Sequence, residues 1–205
     1  MALWEKRASK PKGTILLLHG KTWSALPDFD LQVTGENLSF MDGLVEKGYT
    51  VYALDGRGYG GTPRDHTGWL TPDRAAQDAT AILTWIKSRN GIASHLFGWS
   101  YGSMVAQLVV QRLPDLVSSV TLFGYPYYRG RFASTERPEY PAEAPAKENA
   151  APNAASDFIT PGSISDEAIA AYVASALSAD PVRVDFKDLH QWQALDPTRI
   201  KTPLL

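Results

Sequence analysis

The chain has 205 residues, 20 Lys and Arg against 22 Asp and Glu for a formal net charge of -2, and 44% hydrophobic residues. That length suits one domain with a substantial core, and the near-neutral charge excludes the basic footprint of a nucleic-acid or anionic-membrane binder. There is no cysteine, which excludes disulfides, thiolate nucleophiles and cysteine metal sites, and no apolar run approaches the ~20 residues that span a bilayer. Met1 to Lys12 is charged and carries no apolar signal core, so the expectation is a cytoplasmic protein that does not bind membranes.

In chain order, Ala2 to Arg7 reads as a short strand and Lys10-Pro11-Lys12-Gly13 as a turn. Thr14 to Leu18 is nearly all apolar, as in a parallel strand buried on both faces, and ends in His19-Gly20-Lys21-Thr22-Trp23-Ser24. Phe40, Leu44 and Val45 mark a short amphipathic helix stopped by Gly48. A second β-rich run, Tyr49 to Leu54, ends in the glycine-dense loop Asp55-Gly56-Arg57-Gly58-Tyr59-Gly60-Gly61-Thr62. Thr71 caps the next helix, Pro72 fits its first turn, Asp73 favours its dipole, and Asn90-Gly91 closes it.

The apolar run Ile92 to Phe97 then leads into Gly98-Trp99-Ser100-Tyr101-Gly102, and a helix from Tyr101 to Leu113, ended by Pro114, leads out. A strand that turns this sharply into a helix needs glycine on both sides of the corner, where a Cβ would crowd the neighbouring chain. The serine between them is pushed out above the sheet at the positive end of a helix, a placement suited to a nucleophile beside a developing oxyanion. Ser119 to Phe123 is a further strand. Strand and helix thus alternate three times, which predicts an α/β protein with a mostly parallel sheet and helices on both faces. In such sheets the loops at the carboxyl ends of strands carry the chemistry, and His19-Gly20, Asp55-Gly56 and Ser100 all fall there.

After Gly124 the character changes. Tyr125-Pro126-Tyr127-Tyr128 is aromatic, and Arg137 to Pro152 is rich in Pro, Ala and charge without a period, as in an irregular loop. Ser165 to Ala179 is a capped helix with an apolar face of Ala168, Ile169, Tyr172, Val173, Ala176 and Leu177, and Trp192 is expected to pack inward. Residues 1–124 therefore read as a core, 125–199 as an inserted lid, and 200–205 as the start of a further core strand.

Taken together, His19-Gly20, Asp55-Gly56-Arg57-Gly58-Tyr59-Gly60 and Gly98-Trp99-Ser100-Tyr101-Gly102 resemble the α/β-hydrolase fold family, in the right order and on the right elements. The likeness covers nearly the whole chain and is greatest to the capped esterase-, peptidase- and lactonase-like members. It implies a serine hydrolase that cleaves a carboxylic ester or small amide through an acyl-enzyme at Ser100, without metal or cofactor. It also implies an oxyanion hole from the backbone N–H groups of Lys21 and Tyr101. The Lys21 side chain either meets an anionic substrate group or points to solvent. Trp23, Trp99, Tyr101, Tyr125, Tyr127, Tyr128 and Trp192 lie in or near the expected mouth, and Trp23, Trp99, Tyr125 and Tyr127 above all are candidate substrate-pocket residues, with ordinary packing as the other reading. Asp55 is expected to brace its own loop.

In the family the acid and the histidine follow later strands, and the four histidines here do not supply the base. His19 belongs to the oxyanion turn, His66 to a polar loop, His95 to the far end of its strand, and His190 to the lid. The expectation is that the triad acid and histidine lie outside this chain, in a longer protein or on a second chain that carries the remaining strands. The alternative is a non-catalytic α/β-hydrolase-like domain that binds a small molecule or a partner.

Overall fold

The structure, a computed structural model, describes residues 1–128, 130, 132 and 138–205. Five strands form the main sheet: β1 (Leu3–Lys6), β2 (Gly13–Leu18), β3 (Tyr49–Leu54), β5 (Ser94–Trp99) and β6 (Val117–Phe123). Their order is β1-β3-β2-β5-β6; β1 runs antiparallel to β3, and the other pairs are parallel. The apolar runs of β2 and β3 fill both faces, as their continuous hydrophobicity predicts. Leu16, Leu18, Tyr52, Leu54 and Leu96 pack on one side with α3 (Pro72–Asn90) and α4 (Tyr101–Arg112). Ile15, Leu17, Val51 and Ala53 face the other side, against α1 (Ala25–Phe29) and α2 (Phe40–Glu46).

The helix ends follow their caps. The Thr71 hydroxyl accepts from Arg74 N–H at 3.2 Å with Pro72 in the first turn. At the other end Gly91, at φ 75°, donates back to Lys87 C=O at 2.8 Å. The Ser39 and Ser165 hydroxyls cap α2 and α6 (Asp166–Ala179) in the same way.

Several features depart from the sequence expectation. The third core strand runs from Ser94 rather than Ile92, because Ile92 stays in the exposed turn after α3. Pro152 ends no loop; it sits in the first turn of α5 (Ala151–Ala155), where proline is tolerated. Arg137, the start of the expected irregular loop, lies outside the described residues. Two short strands with no sequence signal, β4 (Trp69–Leu70) and β7 (Asp185–Phe186), pair in parallel and tie residue 186 to the loop before α3. Trp192 is buried in the main core beside α3 and α4. Residues 203–205 lie along β6: Val120 N–H donates to Pro203 C=O at 2.8 Å and Leu205 N–H to Val120 C=O at 2.9 Å. Among the described residues no helix is long and apolar enough to cross a membrane.

Candidate active site

Strand β5 ends at Trp99 and α4 begins at Tyr101, so Ser100 alone makes the corner. It adopts φ 52° and ψ -116°, one of only two non-glycine residues at positive φ among those described. Such a conformation costs an L-residue about 1–3 kcal/mol and persists only where its surroundings enforce it. Here they do. A Cβ on Gly98 would stand 2.6 Å from Ser103 Cα, and one on Gly102 would stand 2.5 Å from His19 C=O and 2.8 Å from the Leu18 carbonyl carbon. The corner is thereby wedged against the end of β2. Ser100 N–H donates to Phe123 C=O at 2.9 Å, and Ser103 donates to Ser100 C=O through both its N–H (3.0 Å) and its hydroxyl (2.5 Å).

The turn after β2 faces this corner: a Cβ added to Gly20 would lie 3.4 Å from Ser100 Cβ. His19 is buried and holds that turn. Its Nε2 accepts from Gly56 N–H at 3.0 Å, so Nδ1 carries the proton toward Gly20 C=O, 2.7 Å away. Burial lowers its pKa, which favours this neutral form. Its ring also meets Tyr59 edge-on. Both ring nitrogens are occupied, so His19 is a brace. Asp55 braces its own loop: Oδ1 accepts from Ala25 N–H at 3.0 Å, and Oδ2 from Gly61 N–H and Trp4 Nε1, each at 2.9 Å.

Ser100, Lys21 and Tyr101 line one cavity of about 190 Å³ with Met104, Pro126, Phe132, Phe186, Leu189 and Trp192. The structure thus brings the predicted nucleophile and both predicted oxyanion residues to a single opening. Tyr101 is the first residue of α4, and a first-turn N–H has no acceptor within its own helix. The Lys21 side chain does not simply leave for solvent; its Nζ lies 4.9 Å from the centre of the Phe186 ring, and that ring packs on Tyr101 at 4.8 Å.

Of the aromatic residues expected at the mouth, Tyr101 and Trp192 line this cavity, while Trp23, Trp99, Tyr125 and Tyr127 do not. Trp23 is buried against α5 and α6, with Nε1 donating to Asp157 at 3.0 Å. Trp99 points to the opposite face of the sheet, toward Phe29, because neighbouring strand residues alternate sides. Tyr125 donates its hydroxyl to Gln107 and packs on the core, and Tyr127 stacks between Tyr125 and Phe132. The cavity wall is instead Phe186, Leu189 and Trp192, brought in by the β4–β7 pair.

None of the four histidines lines this cavity. His95 bonds Ser119 Oγ through Nδ1 at 2.8 Å and meets Tyr49, near the start of β5. His66 borders a separate groove with Arg64 and Val182. His190 follows Leu189 in a 3₁₀ turn.

Three carboxylates missed in the sequence stand behind the turn that follows β2. Asp180, the C-cap of α6, accepts from Ser24 N–H at 2.7 Å and Gly60 N–H at 2.8 Å, and so ties α6 to both core loops. Asp28 accepts from Gly20 N–H at 3.3 Å, and Tyr172 Oη lies 3.2 Å from Asp28 and 3.4 Å from Asp157. Burial raises the pKa of all three, with the opposing hydrogen bonds offsetting it in part. No local pattern marks them, since most of their partners, Tyr172 for Asp28, Trp23 for Asp157, and Ser24 and Gly60 for Asp180, lie more than 100 positions away.

The alpha/beta hydrolase family profile matches residues 15–203. The chain belongs to this family. Among solved structures, a thioesterase domain from the curacin biosynthetic pathway aligns over 98% of this chain and 76% of its own length, at 15% identity and a TM-score of 0.60. That likeness shows a shared fold. An esterase from Exiguobacterium antarcticum aligns over 58% of this chain at 22% identity and a TM-score of 0.46. Epoxide hydrolase A from Mycobacterium thermoresistibile aligns over the same share at 26% identity and a TM-score of 0.45. The matched region spans 39% and 34% of those two chains. No curated protein matches the sequence.

Proposed function

We propose that this alpha/beta hydrolase cleaves a carboxylic ester or small amide through an acyl-enzyme at Ser100. The single observation that carries the reading is the strained Ser100 corner opening on a cavity that Lys21 and Tyr101 also line. Ser100 Oγ attacks the substrate carbonyl carbon and gives its proton to a general base. The backbone N–H groups of Lys21 and Tyr101 hold the tetrahedral oxyanion, each such donor being worth about 3 kcal/mol in the transition state. Collapse expels the alcohol or amine with that proton, and water releases the acyl group by the reverse sequence. Since none of the four histidines lines the cavity, the base and its orienting acid are assigned to residues outside this chain, in the same protein or a partner. Residues 125–199 are read as the lid that selects the substrate, over a core of 1–124, with 200–205 entering the next core strand.

The test is labelling of the full protein with a fluorophosphonate probe, which needs an activated serine. Labelling that Ser100→Ala abolishes is the expected result; labelling that survives Ser100→Ala overturns the assignment. The same histidine placement favours one second reading, a non-catalytic domain that keeps the cavity for binding. It predicts no labelling of the full protein at all.

A further inference from the structure

The oxyanion turn carries a cation where it needs only a backbone amide. Lys21 is exposed at the cavity mouth, yet its ammonium is laid over Phe186, which in turn rests on Tyr101 beside Ser100. Among the described residues no carboxylate lies within ion-pair distance of Lys21; the nearby acid, Asp185, is shared by Lys147 at 3.5 Å and Arg183 at 3.7 Å. Lys147 and Arg183 thus already share Asp185, the residue before the cavity-lining Phe186. Burial first, then Arg183, pushes the Lys21 pKa below the usual lysine range, with Asp185 opposing and Lys147 adding. An anionic ligand group would relieve that repulsion.

We propose that the substrate carries a negatively charged group, a carboxylate or phosphate, that binds the Lys21 ammonium at the Phe186 edge of the cavity. The inference rests on the ester- or amide-cleaving reading for what is cleaved, but its anion site stands on the charge arrangement alone. A hydrogen-bonded ion pair of this kind favours the charged ligand by about 10–100-fold. The preference weakens as salt screens it.

The experiment compares kcat/KM of the full protein for matched ester pairs. One pair places the charge on the acyl side: p-nitrophenyl hemisuccinate against p-nitrophenyl butyrate. The other places it on the leaving group: 4-acetoxybenzoate against its methyl ester. The expected result is a preference of about tenfold or more for the anion in one pair, which assigns the side that carries the charge. Lys21→Met should bring that ratio near one, mainly through KM, and Lys21→Glu should invert it. Wild-type ratios near one in both pairs, or ratios that neither variant moves, overturn the proposal while leaving the hydrolase reading intact. Calorimetric binding of monomethyl succinate to Ser100→Ala reads the site without turnover. Binding that Lys21→Met removes, in a protein that never labels or turns over, keeps the anion site and rejects the hydrolase. No binding and no anion preference rejects the site.

Discussion

The Ser100 corner and the α6 region meet the same sheet by opposite means. At the corner, main chain presses on main chain: Gly98 and Gly102 leave no space for a Cβ, and the strain at Ser100 is held by backbone contacts on every side. From α6 onward, polar side chains do much of the holding. Asp180 gathers the amides of Ser24 and Gly60, Arg64 donates to the carbonyls of Val182 and Arg183, and Tyr172 stands between Asp28 and Asp157. Steric wedging is indifferent to pH and ionic strength. Buried carboxylates are not. The contrast predicts a rigid Ser100 turn beside an α6 region whose attachment responds to conditions.

Substitutions can break that contrast, beginning with the most damaging. Gly102→Ala drives a methyl group into the end of β2, and neither chain has a flexible side chain to yield. It should cost about 3 kcal/mol or more, read as a lowered urea midpoint or loss of soluble protein. A cost under about 1 kcal/mol would mean that the corner is not wedged as described. Asp180→Ala comes next. It leaves the Ser24 and Gly60 amides without their acceptor, and roughly 2–4 kcal/mol should be lost in the same measurement.

Ser100→Gly should act in the opposite direction. Glycine accepts positive φ without strain, so the variant gains about 1 kcal/mol in stability while losing the hydroxyl. No gain in thermal midpoint would argue that the corner is unstrained.

The smallest effect sharpens the α6 side. Asp28 has its pKa pushed well above the ordinary carboxylate range, by burial first, with Asp157 and Asp180 adding and the Gly20 and Tyr172 hydrogen bonds opposing. A carboxyl with a raised folded-state value binds more protons folded than unfolded. Its contribution is therefore fully present below about pH 3.8 and declines as pH rises toward the folded value. Asp28→Asn cannot ionise, so its stability relative to wild type should rise as pH climbs above about 3.8 and level off above the folded-state value. Paired urea titrations that show no change in this difference would remove the buried-acid account.

What was legible in the sequence depended on how local its cause was. The alternating strands and helices, the Thr71 and Gly91 caps and the glycines around Ser100 each arise from residues within a few positions of one another, so pattern and sterics sufficed. The brace roles of His19 and Asp55 followed from their place in known turns. The aromatic mouth was legible only in part: position in the chain puts Trp23 and Trp99 near it as it does Tyr101 and Trp192, but does not say which way each ring faces. Strand alternation turns Trp99 to the opposite face, and α5 and α6 bury Trp23.

By itself, then, the chain determined a parallel α/β sheet with a sharp serine corner, because periodicity and the absence of a Cβ are short-range properties. Only the tertiary structure decided which side chains surround that serine. The β4–β7 pairing that delivers Phe186, and the bond from Ser24 to Asp180 across 156 positions, leave no local trace. Contacts of that range exist only once burial has brought the segments together, which is why the placement of Lys21 over Phe186, without an ion-pair partner among the described residues, could be seen only in three dimensions.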